Sequence, residues 1–118
     1  MTVVFYTPDL YTYQDISRML RASFPKTPFL GLNLMERLVR WMDHSCEQPD
    51  LLLVDIDQQC GEELDLVGRA CSRWPETPLV VVSDEPLFGC LASIVHLQKP
   101  VCEPEVVRLV HASITGEA

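Results

Sequence analysis

The sequence lacks the features of membrane-spanning, secreted, nucleotide-binding and nucleic-acid-binding proteins. No apolar run approaches the roughly 18 residues that cross a bilayer, and no basic segment opens a signal peptide at the N-terminus. Neither G-x-x-x-x-G-K-[ST] nor G-x-G-x-x-G occurs, so the usual phosphate-binding loops are missing. Positive charge is scarce, and the net charge of −8 would repel nucleic-acid phosphates. We therefore expect no membrane span and no direct nucleic-acid binding by this segment.

Paired cysteine spacing is also missing. The five cysteines are odd in number and none forms a C-x-x-C pair, which argues against a disulfide framework and against a zinc site. Together with the lack of a secretory segment, this predicts a reduced, cytoplasmic protein. Most of the thiols are expected to be small core groups. Cys60 and Cys90 fall in predicted loops and are expected to be the more exposed.

The chain does contain enough apolar material for one core. Apolar residues make up 47% of the sequence and charged residues 22%, which is typical of a folded globular domain. A length of 118 residues suits one domain, and no internal repeat or low-complexity segment divides it. We therefore treat residues 1–118 as a single domain.

The most informative stretch is PDLLLVDID, residues 49–57. Its apolar residues 51–54 lead straight into Asp55 and Asp57. A short apolar run without polar alternation is typical of a strand that is buried on both faces, in the middle of a parallel sheet. Ligands of such sheets gather beyond the carboxyl ends of the strands. Asp55 is therefore either a reactive or metal-binding group, or the cap of the next loop.

The other predicted elements alternate between strands and helices. Strands are predicted at residues 2–6, 29–32, 79–82 and 94–97. Helices are predicted at residues 11–23, from 34 to about 45, at 62–73 and from 104 to about 114. Asn33 and Glu36 have the spacing of a capping box at the start of the second helix. Residues 83–90 contain Pro86 and Gly89, so a helix there would be short or missing.

This alternation predicts the fold class. Strands that alternate with helices form a parallel sheet covered by helices on both faces. We predict an α/β, flavodoxin-like, doubly wound fold with five strands in the order 2-1-3-4-5 and the third strand in the centre. An antiparallel pair at the centre would contradict this prediction.

Two helices carry specific predictions about which residues are buried. In the third helix, Leu64 is expected to share the buried face with Val67, Cys71 and Trp74. The final helix has more apolar residues than one buried stripe needs: Val106, Val107, Leu109, Val110 and Ile114. Some of these should face solvent and meet a partner. The alternative is a final helix that is packed between the sheet and the first helix, with all five buried.

Three segments together resemble the receiver domain of two-component response regulators: PDLLLVDID, RWPETPLVVVS and HLQKPV. The resemblance covers nearly the whole chain in its order of elements and implies the CheY-like form of the flavodoxin fold. It matches Asp55 to the phospho-accepting aspartate and Ser83 to the hydroxyl that moves toward the phosphoryl group. Lys99, before Pro100, matches the lysine that pairs with that group. A carboxylate, a hydroxyl and a lysine suit these roles in phosphate chemistry.

The sequence departs from the family at the Mg²⁺ site. Receivers place two adjacent acids after the first strand, whereas this chain has Thr7 and Pro8 there and Asp9 beyond. Mg²⁺ needs several hard oxygens in near-octahedral geometry. Asp9, Asp55 and Asp57 would therefore make a weak site, and Asp9 and Asp57 are better explained as loop caps. These departures are typical of a degenerate receiver, or pseudo-receiver.

The resemblance implies a signalling domain and leaves two hypotheses open. In the first, the domain is a non-catalytic module that binds a protein partner or an attached effector domain without phosphorylation and needs no cofactor. In the second, a histidine kinase phosphorylates Asp55 in a Mg²⁺-dependent reaction that the domain itself catalyses. Thr7 and Pro8 favour the first hypothesis, whereas Asp55, Ser83 and Lys99 support the second. An unrelated flavodoxin-like enzyme is a third alternative.

Two spatial expectations follow. Lys99 is expected to lie within reach of Asp55 and to form an ion pair with it even without phosphate. The signalling surface is expected on the face made by residues 83–90, the fifth strand and the final helix, which receivers use to form homodimers or to dock their output. The three histidines are isolated in the sequence and are assigned no role: His44, His96 and His111.

Overall fold

The computed structural model describes residues 2–45, 47–56, 61–83, 94–98 and 102–115. The strands are β1 (Val3–Tyr6), β2 (Phe29–Leu32), β3 (Leu51–Asp55), β4 (Leu79–Ser83) and β5 (Ile94–Gln98). The described helices are α1 (Leu10–Ser23), α2 (Met35–His44), α3 (Gly61–Arg73) and α4 (Glu103–Thr115). Each lies where the sequence predicts an element of its type. Within the described ranges, no helix is long and apolar enough to cross a membrane.

The five strands form one parallel sheet in the order β2-β1-β3-β4-β5, with β3 in the centre. The predicted topology is therefore confirmed. In this register Tyr6 lies beside Val54, and Asp55 lies beside Val82. Because neighbouring strands run in the same direction, the carboxyl ends of β1, β3 and β4 meet at one edge. The short or missing helix predicted within residues 83–90 lies, apart from Ser83 at the end of β4, outside the described residues.

All five residues of β3 are buried, because the sheet has an apolar cluster on each face. Leu52 and Val54 belong to the cluster beneath α2 and α3, whereas Leu51 and Leu53 belong to the cluster beneath α1 and α4. Both sets of positions must therefore be apolar, which explains the unbroken run in the sequence. The prediction of a strand buried on both faces is confirmed.

The final helix, α4, packs beside α1 on one face of the sheet. Of its apolar residues, two are buried and two are half-buried: Val106 and Val110, then Val107 and Leu109. Val106 and Val110 share a cluster with Ile16 of α1, and Leu109 packs against that cluster. None of these four is fully exposed, so α4 is closer to the packed alternative than to a helix with an open apolar side. The side chain of residue 114 lies outside the described set.

The capping box predicted for α2 is wrong. The N-cap of α2 is Leu34, and no side chain caps it. The Thr7 amide donates to the Leu32 carbonyl at 3.0 Å, which extends the pairing of β1 with β2 beyond the last strand residue. The first helical hydrogen bonds then go to the Leu34 carbonyl. Asn33 therefore lies one residue too early to cap the helix.

The predicted burial of Leu64 is also wrong, because this side chain is 41% exposed. The buried stripe of α3 instead contains Glu63, Leu66, Val67 and Ala70, and Trp74, the first residue after the helix, continues it. Residues 66, 70 and 74 recur every four positions and therefore lie on one side of the helix. In this turn the buried residue is Glu63, four positions before Val67, and Leu64 lies about 100° further round the helix, beyond the edge of the stripe. The rotation of α3 against the sheet decides this point.

Two of the cysteines lie in the described part of the chain. Cys71 is half-buried against the cluster beneath α2 and α3, and Cys102 is exposed just before α4. Burial raises the pKa of the Cys71 thiol, because desolvation disfavours the thiolate. This agrees with the expected core role for Cys71. The expected exposure of Cys60 and Cys90 falls outside the described residues.

Two aromatic rings lie so close to Gly31 of β2 that no larger residue fits at this position. A Cβ atom at this position would come within 2.6 Å of both Phe5 Cζ and Tyr13 Oη. The Phe5 side chain is fully buried, and its ring packs against that of Tyr13 with centroids 5.1 Å apart. The Phe5 ring cannot move aside without disturbing the core, and the Tyr13 ring is half-buried against it. The packing of these two rings therefore requires glycine at position 31.

Replacing Gly31 by alanine is expected to lower the free energy of unfolding by about 1–3 kcal/mol, because the rings must shift. Gly68→Ala in α3 is the matched control, because nothing lies within 4 Å of a Cβ atom there. This control is expected to gain about 0.5–1 kcal/mol from lower chain entropy in a helix interior. Urea unfolding of both variants measures the difference. A Gly31→Ala variant as stable as the parent protein would contradict the packing described above.

Candidate functional site at the carboxyl edge of the sheet

Three buried polar residues lie at the carboxyl ends of adjacent strands. Thr7 follows β1, Asp55 ends β3 and Ser83 ends β4. Each is 0% exposed. Buried polar side chains need hydrogen-bond partners because water cannot reach them. The partners of these three residues therefore define the site.

The closest contact in the site joins Thr7 to Asp55. Thr7 Oγ1 donates a hydrogen bond of 2.7 Å to Asp55 Oδ2. The register explains this contact, because Tyr6 lies beside Val54 and the next residue of each strand is Thr7 or Asp55. A hydrogen bond to a carboxylate is roughly twice as strong as one between neutral groups. The hydroxyl at position 7 therefore holds the carboxylate that the resemblance matches to the phospho-acceptor.

Asp9 is the N-cap of α1. Its Oδ1 accepts a hydrogen bond from the Tyr11 amide at 3.0 Å, and its Oδ2 accepts one from Thr12 Oγ1 at 2.9 Å. The expectation that Asp9 caps a loop is confirmed, in the form of a helix cap. The Asp9 amide also donates to Thr7 Oγ1 at 3.2 Å. Both carboxylate oxygens of Asp9 are thus engaged by the first turn of α1.

Ser83 contacts a residue to which the sequence patterns assigned no role. Ser83 Oγ lies 2.8 Å from His96 Nε2 of β5. His96 pairs with Val81 in the register, so its side chain is on the same face of the sheet as Ser83, two positions farther along β4. Thirteen residues separate the pair in the chain, and only the register joins them. The alternation of apolar and polar residues along β5 was the one signal in the sequence. It leads to Ser83 only when the pairing of β4 with β5 is known.

A serine hydrogen-bonded to a histidine is also the first part of an activated nucleophile. Ser83 is 0% exposed, however, and a side chain that solvent does not reach cannot attack a substrate in this conformation. The pair is therefore better explained as a satisfied buried hydroxyl. Its effect is to tie the end of β4 to the edge strand β5.

Two predicted site residues, Asp57 and Lys99, lie outside the described residues. The register places Gln98 beside Ser83, and Lys99 is the next residue in the sequence. The ion pair between Lys99 and Asp55 stays a prediction. The structure thus brings together Thr7 and Asp55, with Ser83 at the end of the neighbouring strand.

The described oxygens do not fit a Mg²⁺ ion of the kind that receiver domains use. Asp55 supplies a carboxylate, Thr7 a neutral hydroxyl that already donates to it, and Asp9 a carboxylate engaged as a cap. Mg²⁺ favours hard oxygen ligands in octahedral geometry, usually including one or two carboxylates. Within the part of the chain that the structure describes, no three His, Cys, Asp or Glu side chains form a metal-ligand group.

No protein-family model and no curated protein sequence matches this chain. Several solved structures do. A signal receiver domain of a DNA-binding response regulator from Colwellia psychrerythraea 34H has a TM-score of 0.81 at 10% identity, covering 98% of both chains. A CheY-like receiver domain protein from Methanospirillum hungatei JF-1 has a TM-score of 0.79 at 14% identity, covering 98% of this chain and 94% of its own.

A response regulator receiver protein from Sinorhizobium medicae WSM419 also has a TM-score of 0.79 at 14% identity, covering 100% of this chain and 97% of its own. All three similarities span nearly the full length of both chains. At these identities the comparisons establish the architecture and not the chemistry. This chain therefore has the CheY-like, flavodoxin-type fold of response-regulator receiver domains.

Proposed function

We propose that this protein is a receiver-like signalling domain of the two-component type that acts mainly by binding other proteins, without phosphorylation. One observation carries this proposal. The carboxylate at the receiver position, Asp55, is fully buried and is held by the hydroxyl of Thr7, where receivers carry acids. The shared fold supports the class of domain, and the Thr7 contact supports its independence from phosphorylation.

The physical reason is charge. Phosphoryl transfer relies on a metal ion to neutralise the charge that develops on the phosphoryl oxygens. The described oxygen atoms of this pocket do not make up a set of Mg²⁺ ligands, and the chain carries a net charge of −8. A phosphoryl donor would meet a buried carboxylate without that neutralisation. On this proposal the domain is not an enzyme and needs no cofactor.

Phosphorylation of Asp55 is the second candidate function, and a specific observation favours it. Asp55 and Ser83 end adjacent strands at one edge of the sheet, as the resemblance requires. A histidine kinase would be the phosphoryl donor, and Lys99 would pair with the phosphoryl group. Mg²⁺ would then have to be held by Asp9, Asp55 and Asp57.

Titration of Mg²⁺ with beryllofluoride, followed by the NMR shifts of backbone amides, separates the two candidates. We expect no saturable shifts at Thr7, Asp55 and Ser83 in the low millimolar range, because Asp9, the other candidate carboxylate in the described residues, is engaged as the cap of α1. The Asp55→Asn variant is the control for general salt effects. Saturable shifts that Asp55→Asn abolishes would refute the first candidate and establish the second.

We further propose that protein partners, including a second copy of this chain, bind the face that carries β5 and α4. Val95 of β5 supports this, because it is 41% exposed on the edge strand of the sheet. Val107 of α4 adds a half-buried apolar side chain. A large apolar side chain exposed on an edge strand favours contact with another protein.

Replacing Val95 by glutamate is expected to weaken self-association or partner binding at least tenfold, because it places a charge in the contact. Leu64→Glu is the matched control, since Leu64 is also 41% exposed but lies on α3. Analytical ultracentrifugation of both variants measures self-association, and a binding assay measures capture of the partner. If Val95→Glu alters neither property, or if Leu64→Glu has the same effect, this face is not the contact.

A further inference from the structure

Thr7 links Asp55 to the start of α1 through two consecutive hydrogen bonds. The Asp9 amide donates to Thr7 Oγ1 at 3.2 Å, and Thr7 Oγ1 donates to Asp55 Oδ2 at 2.7 Å. The side chains of Thr7 and Asp55 are both 0% exposed. The oxygen of Thr7 therefore occupies, away from water, a position in direct contact with a carboxylate.

The chemical nature of that oxygen determines what the pocket can hold. A hydroxyl is neutral and has a proton to donate, so it stabilises the Asp55 carboxylate directly. A carboxylate in the same place has no proton to donate and would repel Asp55. Two buried carboxylates in contact require a shared proton or a cation between them. Hard divalent cations bind to oxygen sites of that kind.

Asp9 does not supply the second carboxylate in this structure. Its two carboxylate oxygens accept hydrogen bonds from Tyr11 and Thr12 in the first turn of α1. Turning them toward Asp55 would remove the cap of that helix. Position 7 is therefore a position from which a side chain already contacts Asp55.

We propose that Thr7 is the residue that keeps the Asp55 pocket closed to divalent cations, and that a carboxylate at this one position would convert the pocket into a cation site. The inference rests on the proposed function, whose independence from metal it explains. It assigns to Thr7 a positioning role: its hydroxyl donates a hydrogen bond to Asp55 at the place where a cation would otherwise bind. The site would accept small, hard cations such as Mg²⁺ and Mn²⁺.

The test compares Thr7→Asp with Thr7→Asn in the full chain, using Mg²⁺ and Mn²⁺ as probes. Asparagine has nearly the same size as aspartate but no charge, so it controls for changes of shape. Isothermal titration calorimetry is expected to show at least tenfold tighter cation binding by Thr7→Asp than by the parent protein, and no gain for Thr7→Asn. Adding Asp55→Asn to Thr7→Asp is expected to remove the gain.

Thermal unfolding provides a second measurement, because a ligand that binds only the folded state raises the melting temperature. The melting temperature of Thr7→Asp is expected to rise with Mg²⁺ concentration, and that of Thr7→Asn is expected to stay constant. A Thr7→Asp protein that folds only when Mg²⁺ is added would also support the inference.

Two results would overturn the inference. One is a folded Thr7→Asp protein that binds cations no more tightly than the parent protein. The other is a Thr7→Asp protein that stays unfolded at every cation concentration. Neither result affects the proposed function, which fails only if the parent protein itself binds Mg²⁺ with beryllofluoride. The two proposals can therefore fail separately.

Discussion

Replacing Thr7 by valine is expected to lower the free energy of unfolding by about 1.5–3 kcal/mol, the usual range for a hydrogen bond to a charged group. Valine keeps the shape of threonine but lacks the hydroxyl that donates to Asp55 Oδ2 at 2.7 Å. Both side chains are 0% exposed, so water cannot take the place of the lost donor. Equilibrium unfolding in urea measures the change.

Thr7→Ser is the control for this prediction, because it keeps the hydroxyl and loses one buried methyl group. Its expected cost is about 0.5–1.5 kcal/mol, as for other single-methyl deletions in a core. Combining Thr7→Val with Asp55→Ala, which removes the acceptor, in a double-mutant cycle isolates the energy of the pair. If Thr7→Val proved more stable than Thr7→Ser, the hydrogen bond would contribute little, and the methyl group would be the important part of Thr7.

Replacing Val106 by aspartate is expected to lower the free energy of unfolding by more than about 4 kcal/mol, because it places a charge in the core without a partner of opposite charge. Val106 is 1% exposed and lies in the cluster that joins α1, α4 and the sheet. The expected result is a protein largely unfolded at room temperature. Circular dichroism combined with urea unfolding measures this loss.

Val107→Asp is the matched control, because it makes the same substitution at the next residue of the same helix. Val107 is half-buried, so its charge keeps access to water, and the expected cost is about 1 kcal/mol or less. Equal losses for the two variants would show that α4 does not dock on the sheet through Val106. A large loss for Val106→Asp alone would show that much of the apolar surface of α4 serves the core.

Because α4 packs on the sheet, its many apolar residues are only limited evidence that it forms a surface for a partner. The sequence shows five apolar positions and suggests an open side. In the fold, Val106 and Val110 are used by the core, which leaves Val107 and Leu109 half-buried. Among the described residues of β5 and α4, the exposed large apolar side chain is instead Val95 of β5. The experiment on this face therefore begins with the strand and not with the helix.

The Ser83–His96 contact shows a similar limit at the site. Neither residue alone indicated the contact. Serine often follows a strand, and no residue near His96 in the sequence suggested a partner for it. Their contact depends on the pairing of β4 with β5, which aligns Val81 with His96. The prediction for Ser83 concerned phosphate, whereas the structure gives it a protein partner. Its role in any phosphoryl chemistry stays a prediction.

The sequence by itself determined the kind and order of the elements and the position of Asp55 at the end of the central strand. It could do so because these features depend on local patterns. An unbroken apolar run marks a strand buried on both faces, and helical spacing marks the helices between strands. The parallel order 2-1-3-4-5 followed from that alternation and the resemblance, and the structure confirms it.

Only the tertiary structure decided which side chains meet. The rotation of α3 exposes Leu64, and the end of the pairing between β1 and β2 makes Leu34 the cap of α2. The register of β1 against β3 places Thr7 on Asp55, and these residues are forty-eight positions apart in the chain. Such contacts depend on how whole elements pack, because a shift of one residue in register would give every side chain a different neighbour.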